Sequence, residues 1–445
     1  MVPALPPRRQ QGRAVHALAV GALAVGALAV GSAAATSAAL TSPASTSWAG
    51  AAPPAAADVI PQAYVVTLHD DVGPSTVAAE HGRQYGAQVE HVYRHALNGY
   101  AARMSDEAAR QVARDRRVVA VEADRVVTTK AEPGQTVGIP PQALPTGISR
   151  IGADASSTLA GNGSGAVDVD VAVIDTGIEL QHPDLDVVGG RNCVSGGSYA
   201  DGNGHGTHVA GTIAAADDAA GVVGVAPGAR LWAVRVLDDA GSGTTSSVLC
   251  GIDWVTANAA TIEVANMSIS GSGAEPSGTG CSTGDAYHDA ICRSVATDVT
   301  YVVAAGNGAA DAAGAVPAAY DEVITVSALA DVDGLPGGLG TTSCRAETDA
   351  DDTFASFSNS GTDVDLIAPG TCIGSTWLAG TYRTLSGTSM AAPHVTGAAA
   401  LYLASHPGAA PATVRTALRD AGADDWSGSD DPDGVQEPLV DVSSF

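Results

Sequence analysis

Lysine is almost absent from this chain: one residue in 445, Lys130, is a lysine, and the other twenty basic residues are arginines. Residues 131–445 hold none, and there nine arginines face 38 acidic residues, a net charge of −29. Residues 1–130, with eleven arginines, Lys130 and ten acids, carry +2. A body that anionic repels nucleic acid and anionic lipid, which excludes both as partners, and it stays soluble. Aromatic residues make up only 4%. Alanine, valine and glycine must therefore fill the interior, and at 45% hydrophobic residues there is ample material for a core. Cysteine spacing excludes more. Cys193, Cys250, Cys281, Cys292, Cys344 and Cys372 form no CxxC pair and no histidine-flanked zinc pattern. An even count in an exported chain points to disulfides, with fifteen pairings open to six cysteines.

Export is read from residues 1–35. Arg8, Arg9 and Arg13 form a positive start, ALAVG repeats three times from Ala17 to Gly31, and small residues follow. That is a secretory signal peptide; no charged stop makes it an anchor, so no membrane contact is expected after its removal. Residues 36–60, rich in Ala, Ser, Thr and Pro, read as a linker. Residues 61–130 alternate strand and helix patterns in the order βαββαβ, a small α+β domain. It holds eight of the arginines, which predicts tight docking to the anionic body at low salt. Residues 131–143 are rich in proline and read as an exposed connector. In residues 144–425, Val- and Ile-rich runs alternate with helical stretches. This predicts an α/β domain with a doubly wound, mainly parallel sheet. Residues 426–445 read as an acidic, loosely packed tail.

In an open α/β sheet, chemistry gathers at the carboxyl ends of the strands. VAVIDTGI (Val171–Ile178) is a buried strand ending in Asp175. GHGTHVAGT (Gly204–Thr212) opens a helix with His205, where the dipole favours a neutral base. GTSMAAP (Gly387–Pro393) starts a small-residue helix with Ser389. AAGNG (Ala304–Gly308) sets Asn307 at a further strand end, where its amide can donate to an oxyanion. A serine is a poor nucleophile until a histidine takes its proton and a buried acid fixes the histidine tautomer. GCSTG (Gly280–Gly284) matches a GxSxG elbow but follows no strand, so Ser282 is set aside. His208 reads as a packed histidine and His182 as a turn brace.

In the order Asp, His, Ser these segments resemble the subtilase family, from Gln142 to Gly422, with HPDL at His182–Leu185 and FSNSG at Phe357–Gly361 as further matches. The resemblance implies a secreted, monomeric serine endopeptidase acting on polypeptides. It makes Asp175 the orienting acid, His205 the base, Ser389 the nucleophile and Asn307 the oxyanion donor. Gly241, Ser242 and Gly243, with Ser268, Ile269, Ser270 and Gly271, become the two edges that sandwich a substrate strand. Ser270, where the family usually has glycine, should narrow the specificity pocket. The leading domain resembles the propeptide that chaperones and inhibits such enzymes, and self-cleavage is expected between Lys130 and Gln142. A structural calcium is implied, on the Asp184 and Asp218 carboxylates, the Gln142 amide oxygen and the carbonyls of Ala216, Ala220 and Val222. The most economical disulfides are Cys281–Cys292, Cys344–Cys372 and Cys193–Cys250.

Overall fold

The computed structural model describes residues 58–138, 140–194, 196–277, 280–341 and 349–445. The expected signal (residues 1–35), most of the expected first linker and Cys344 lie outside the described residues. The leading domain runs β1 (Val59–Leu68), α1 (Pro74–Tyr85), β2 (Gln88–Tyr93), β3 (Gly99–Arg103), α2 (Asp106–Val112) and β4 (Val118–Thr128). Ser105 caps α2 by accepting from the Ala108 N–H, with Asp106 and Glu107 in the first turn. The antiparallel sheet orders β2-β3-β1-β4 and buries Val66, Leu68, Tyr100, Ala102 and Val112 under its helices.

Residues 132–137 are exposed, as expected of a connector, but they are not irregular. They form β5 (Glu132–Val137), whose proline and glycine hide its strand character, paired with a strand 250 residues later in the chain. After α3 (Thr146–Arg150) the body follows as β6 (Asp170–Asp175), β7 (Val187–Asn192), α4 (His205–Ala214), β8 (Arg230–Arg235), β9 (Ser242–Thr244), α5 (Thr245–Ala257), β10 (Val264–Met267), β11 (Gly271–Ser272), α6 (Ala286–Val295) and β12 (Thr300–Ala304). It closes with β13 (Ala315–Val316), β14 (Ile324–Ala330), β15 (Thr353–Phe354), β16 (Leu366–Pro369), β17 (Ile373–Trp377), β18 (Thr381–Ser386), α7 (Thr388–Ser405) and α8 (Pro411–Ala421). The main sheet orders β15-β14-β12-β10-β6-β8-β7, with β16 also on β14, and every pairing but that of β15 is parallel.

The period of two along β6 sorts its side chains. Val171 and Val173 pack toward α4 and α7, while Ala172 and Ile174 pack toward α5 and α6. Both faces are thus covered, as an all-apolar parallel strand requires. The last twenty residues are not a loose tail either. Trp426, Leu439, Val440 and Val442 are buried, and the Trp426 indole N–H donates to the Glu437 carbonyl at 3.0 Å. Acidic composition masked these anchors.

Candidate active site

Asp175 ends β6 fully buried. Its Oδ1 accepts the Thr176 N–H at 2.7 Å, and both carboxylate oxygens lie 2.9 Å from His205 Nδ1. That contact sets the tautomer: the proton sits on Nδ1 and Nε2 faces the cleft. His205 opens α4, and its own N–H donates to Asn203 Oδ1 at 3.2 Å. In this uncleaved chain Nε2 meets the Thr129 hydroxyl at 2.6 Å, while Ser389 Oγ donates to the Ser268 carbonyl at 3.3 Å.

Pro393 explains part of the Ser389 turn. It lacks the N–H that would bond the Ser389 carbonyl four residues back. The Ser268 hydroxyl takes that place at 2.9 Å, tying the start of α7 to the end of β10. Asn307, three residues past β12, has its Oδ1 held by the Thr388 N–H and hydroxyl at 2.8 and 2.9 Å. The amide nitrogen must then point outward, and it donates to the Lys130 carbonyl at 2.7 Å. The backbone at residues 130–131 passes over Gly387. A Cβ there would stand 3.3 Å from the Lys130 oxygen, and φ of +156 suits no side chain well.

The end of β4 lies between the two expected edges. Val126–Thr128 pairs antiparallel with β9, Thr128 exchanges both main-chain bonds with Ser270 at 3.0 and 2.9 Å, and the Thr129 N–H donates to the Gly241 carbonyl at 3.1 Å. Ile269 is buried beneath the second edge. Beyond Thr129 a cavity of about 360 Å³ opens, lined by Lys130, Ser270, Gly306, Asn307 and Ser389. A Cβ on Gly306 would lie 3.8 Å from Ser270 Oγ, so this hydroxyl borders the cavity.

The leading domain docks on α5 and α6 by means the sequence did not reveal. Asp124 accepts from the Ser246 N–H (3.0 Å) and hydroxyl (2.6 Å), and Glu122 accepts from the Ala286 N–H at 3.0 Å. Each carboxylate satisfies free amides at a helix start. In return Asp253 receives the amides of Arg94, His95 and Ala96, and the Tyr93 hydroxyl donates to the Ser246 carbonyl. Three of the eight arginines expected to do this work pair at home instead: Arg103 with Glu90, Arg110 with Glu107, Arg117 with Asp115 and Glu80. Helix-start capping carries much of the contact, and one arginine pair crosses it with the signs reversed from expectation: Arg293 of the body on Asp70 of the leading domain, at 2.9 Å.

Burial, then the nearby Asp285 carboxylate, pushes Glu122 up from 4.5 to about 7. Released, it returns to its ordinary value. A group raised on docking strengthens docking fully below about pH 4.5, and that gain is lost as pH rises through about 7. Asp124 is raised too, again mainly by burial. The separated leading domain should thus inhibit well over tenfold less tightly at pH 8 than at pH 5. Glu122→Gln should remove most of that slope. Inhibition constants that stay flat, or tighten toward alkaline pH, contradict this.

The residues expected to hold calcium lie on segments that touch, with the Gln142 side-chain amide donating to Asp217. The Ala216 N–H donates to the Asp184 carbonyl, the Gln142 N–H to the Ala219 carbonyl, and the Val222 N–H and Tyr382 hydroxyl to Asp184 Oδ2. Asp184 is buried, and burial followed by the neighbouring Asp218 charge raises its carboxyl. Only glycine fits at 221, because a Cβ would overlap that carboxylate. An all-oxygen donor set around an acid that has no lysine or arginine partner among the described residues fits a hard cation. Asp217 is different: its buried carboxylate accepts the amides of Gly161, Asn162 and Gly163.

His208 is fully buried, bonded to the Ile373 and Arg383 carbonyls, and burial with His205 nearby lowers it to about 3. His182 spans from the Asp184 amide to the Thr381 carbonyl. The Ser282 hydroxyl donates to the Cys281 carbonyl. Disulfides join Cys193 to Cys250 and Cys281 to Cys292, and Cys372 is disulfide-bonded. Sequence reasoning missed Thr388, Ser268 as a brace, Glu122, Asp124 and Asp253. Thr388 lay inside the GTSMAAP motif; the others depend on long-range approach.

Comparison with known proteins gives the family. Residues 167–435 match the model of the subtilase family, and residues 51–130 that of the peptidase inhibitor I9 family. Subtilisin DY of Bacillus licheniformis is 42% identical over 281 residues, covering 62% of this chain and 90% of the relative. Subtilisin E of Bacillus subtilis is 38% identical over 338 residues, 75% of this chain and 77% of its own. An extracellular serine proteinase of a Thermus species is 41% identical over 342 residues, 75% and 73% of the two chains. Among solved structures, a cold adapted subtilisin-like serine proteinase superposes with a TM-score of 0.52 at 35% identity, over 67% of this chain and 97% of that one. The chain belongs to the subtilase family, a serine endopeptidase carrying an I9-type propeptide.

Proposed function

We propose that Asp175, His205 and Ser389 act as the catalytic triad, with Asn307 as oxyanion donor, and that the enzyme's first substrate is its own Lys130–Ala131 bond. The observation that carries this is the Lys130 carbonyl on the Asn307 amide, with Thr129 against His205 Nε2. A carbonyl held by an oxyanion donor is the one to be attacked. Ser389 Oγ adds to the Lys130 carbonyl carbon as His205 Nε2 takes its proton. The negative oxygen strengthens its bond from Asn307. His205 then protonates the Ala131 nitrogen, which leaves, and water hydrolyses the acyl-enzyme by the same steps. The match to the inhibitor family ends at residue 130, which supports this junction. Residues 1–35 direct export, and the cleaved propeptide, having chaperoned folding, stays as an inhibitor until released. A fluorophosphonate probe tests the assignment. After propeptide removal it should label Ser389 alone, and labelling elsewhere, or none, removes it.

Asp184, Asp218, Gln142 and the carbonyls of Ala216, Ala220 and Val222 would hold calcium. When bound, the ion neutralises buried and facing oxygens and stabilises only the folded form, by about 2.7 kcal/mol at a hundredfold excess over Kd. Asp218→Ala should shorten the half-life on heating severalfold and leave initial kcat/KM nearly unchanged. EDTA should do the same to the parent and little to the variant. If sodium chloride alone restores the half-life after EDTA, charge screening is the explanation and the site is wrong.

A further inference from the structure

Away from the cleft, three acceptor side chains from three segments meet. Glu275 lies beyond β11, His288 stands in the first turn of α6, and Glu322 precedes β14. His288 is buried, its Nε2 3.3 Å from Glu275 Oε1 and 3.1 Å from Glu322 Oε2. Yet neither Nε2 nor Glu322 Oε2 makes a hydrogen bond, so the carboxylate oxygens stand off the line an N–H would take. A buried, unpartnered ring nitrogen aimed between two carboxylates is costly as it stands.

The spacing suits a shared ion. Metal–nitrogen and metal–oxygen bonds near 2.0–2.1 Å at a tetrahedral angle separate the donor atoms by about 3.3 Å. All three donors lie within 4.8 Å of one another. The second ring nitrogen is also provided for. His288 Nδ1 lies 3.4 Å from Asp289 Oδ1, and Asp289 is itself fixed by the Thr283 N–H and hydroxyl and the Gly284 N–H. A carboxylate behind the ring holds the proton on Nδ1 and leaves the Nε2 lone pair free, the arrangement that orients metal-bound histidines. The ring's plane is set by edge-on contact with Tyr320, centroids 5.2 Å apart. The Glu275 and Glu322 side chains are 36% and 24% exposed, so an ion can enter from solvent and keep a water as fourth ligand.

We propose that His288, Glu275 and Glu322 bind one first-row divalent cation of the zinc class, apart from any calcium. Imidazole in a three-donor set disfavours calcium, which takes six to eight oxygens. The ion would tie α6, on which Glu122 docks, to the loop that continues the substrate edge.

The test uses the full secreted protein as Ser389→Ala, so that self-digestion does not intrude. Metals are stripped with a chelator, calcium is restored, and Zn²⁺ or Co²⁺ is titrated by calorimetry and visible absorption. One Zn²⁺ should bind per chain, Co²⁺ should give the intense d–d bands of a low-coordinate site, and Zn²⁺ should raise Tm. Glu275→Gln and His288→Gln should each weaken binding at least tenfold and abolish the Tm shift. No binding at micromolar Zn²⁺, or equal affinity in both variants, overturns the proposal. Should His288→Gln fail to fold, the partly exposed Glu275→Gln decides.

Discussion

Replacing Ser389 with alanine should leave the chain joined at Lys130–Ala131, with export and folding intact. Removing the nucleophile of such a triad lowers kcat by about 10⁶-fold, which leaves only the turnover that oxyanion donors and binding supply. Folding should survive because, among the described residues, the Ser389 hydroxyl bonds only to the Ser268 carbonyl, at 3.3 Å. The brace that shapes this turn uses the Ser389 carbonyl, which alanine keeps. Secreted Ser389→Ala protein should therefore run as a single band larger than the mature enzyme, with an unchanged circular dichroism spectrum. Normal maturation in a host lacking other proteases would remove Ser389 from the mechanism.

Asn307→Ala should lower kcat by about 10²–10³-fold with little change in KM. The amide already touches the ground-state carbonyl at 2.7 Å, but the bond gains most once that oxygen carries charge. The two Thr388 donors that fix its direction lose their acceptor in the variant, so a small drop in Tm should accompany the loss. Self-processing should slow by a similar factor and still finish, unlike the serine variant. A KM effect that outweighs the kcat effect would make Asn307 a binding residue and move the oxyanion site elsewhere.

What could be read in advance follows from how local each determinant is. Asp175, His205, Asn307 and Ser389 stand at ends of elements whose runs are strongly patterned, and the chemistry tolerates few other residue types there. The strand Glu132–Val137 was hidden because its partner lies 250 residues away, and because its proline and glycine signal a loop. The closing segment reads as a loose tail because five aspartates between 424 and 433 outweigh Trp426, Leu439 and Val440, which bury themselves. Net charge suggested how the propeptide would dock, but docking depends on which atoms meet. Glu122 and Asp124 find helix starts that only the folded body creates. Ser268 became a brace only because Pro393 left a carbonyl free.

The central claim is that the chain is folded around its own scissile bond, with Lys130 and Ala131 on either side. Amino-terminal sequencing of the secreted, active enzyme tests it most directly. A first residue of Ala131, reading AEPGQ, is the expected result, and it should appear even when each molecule is diluted too far to meet another. A mature protein that starts elsewhere, with no transient Ala131 species at early times, would show that the Lys130 carbonyl on Asn307 is not the bond this enzyme cuts.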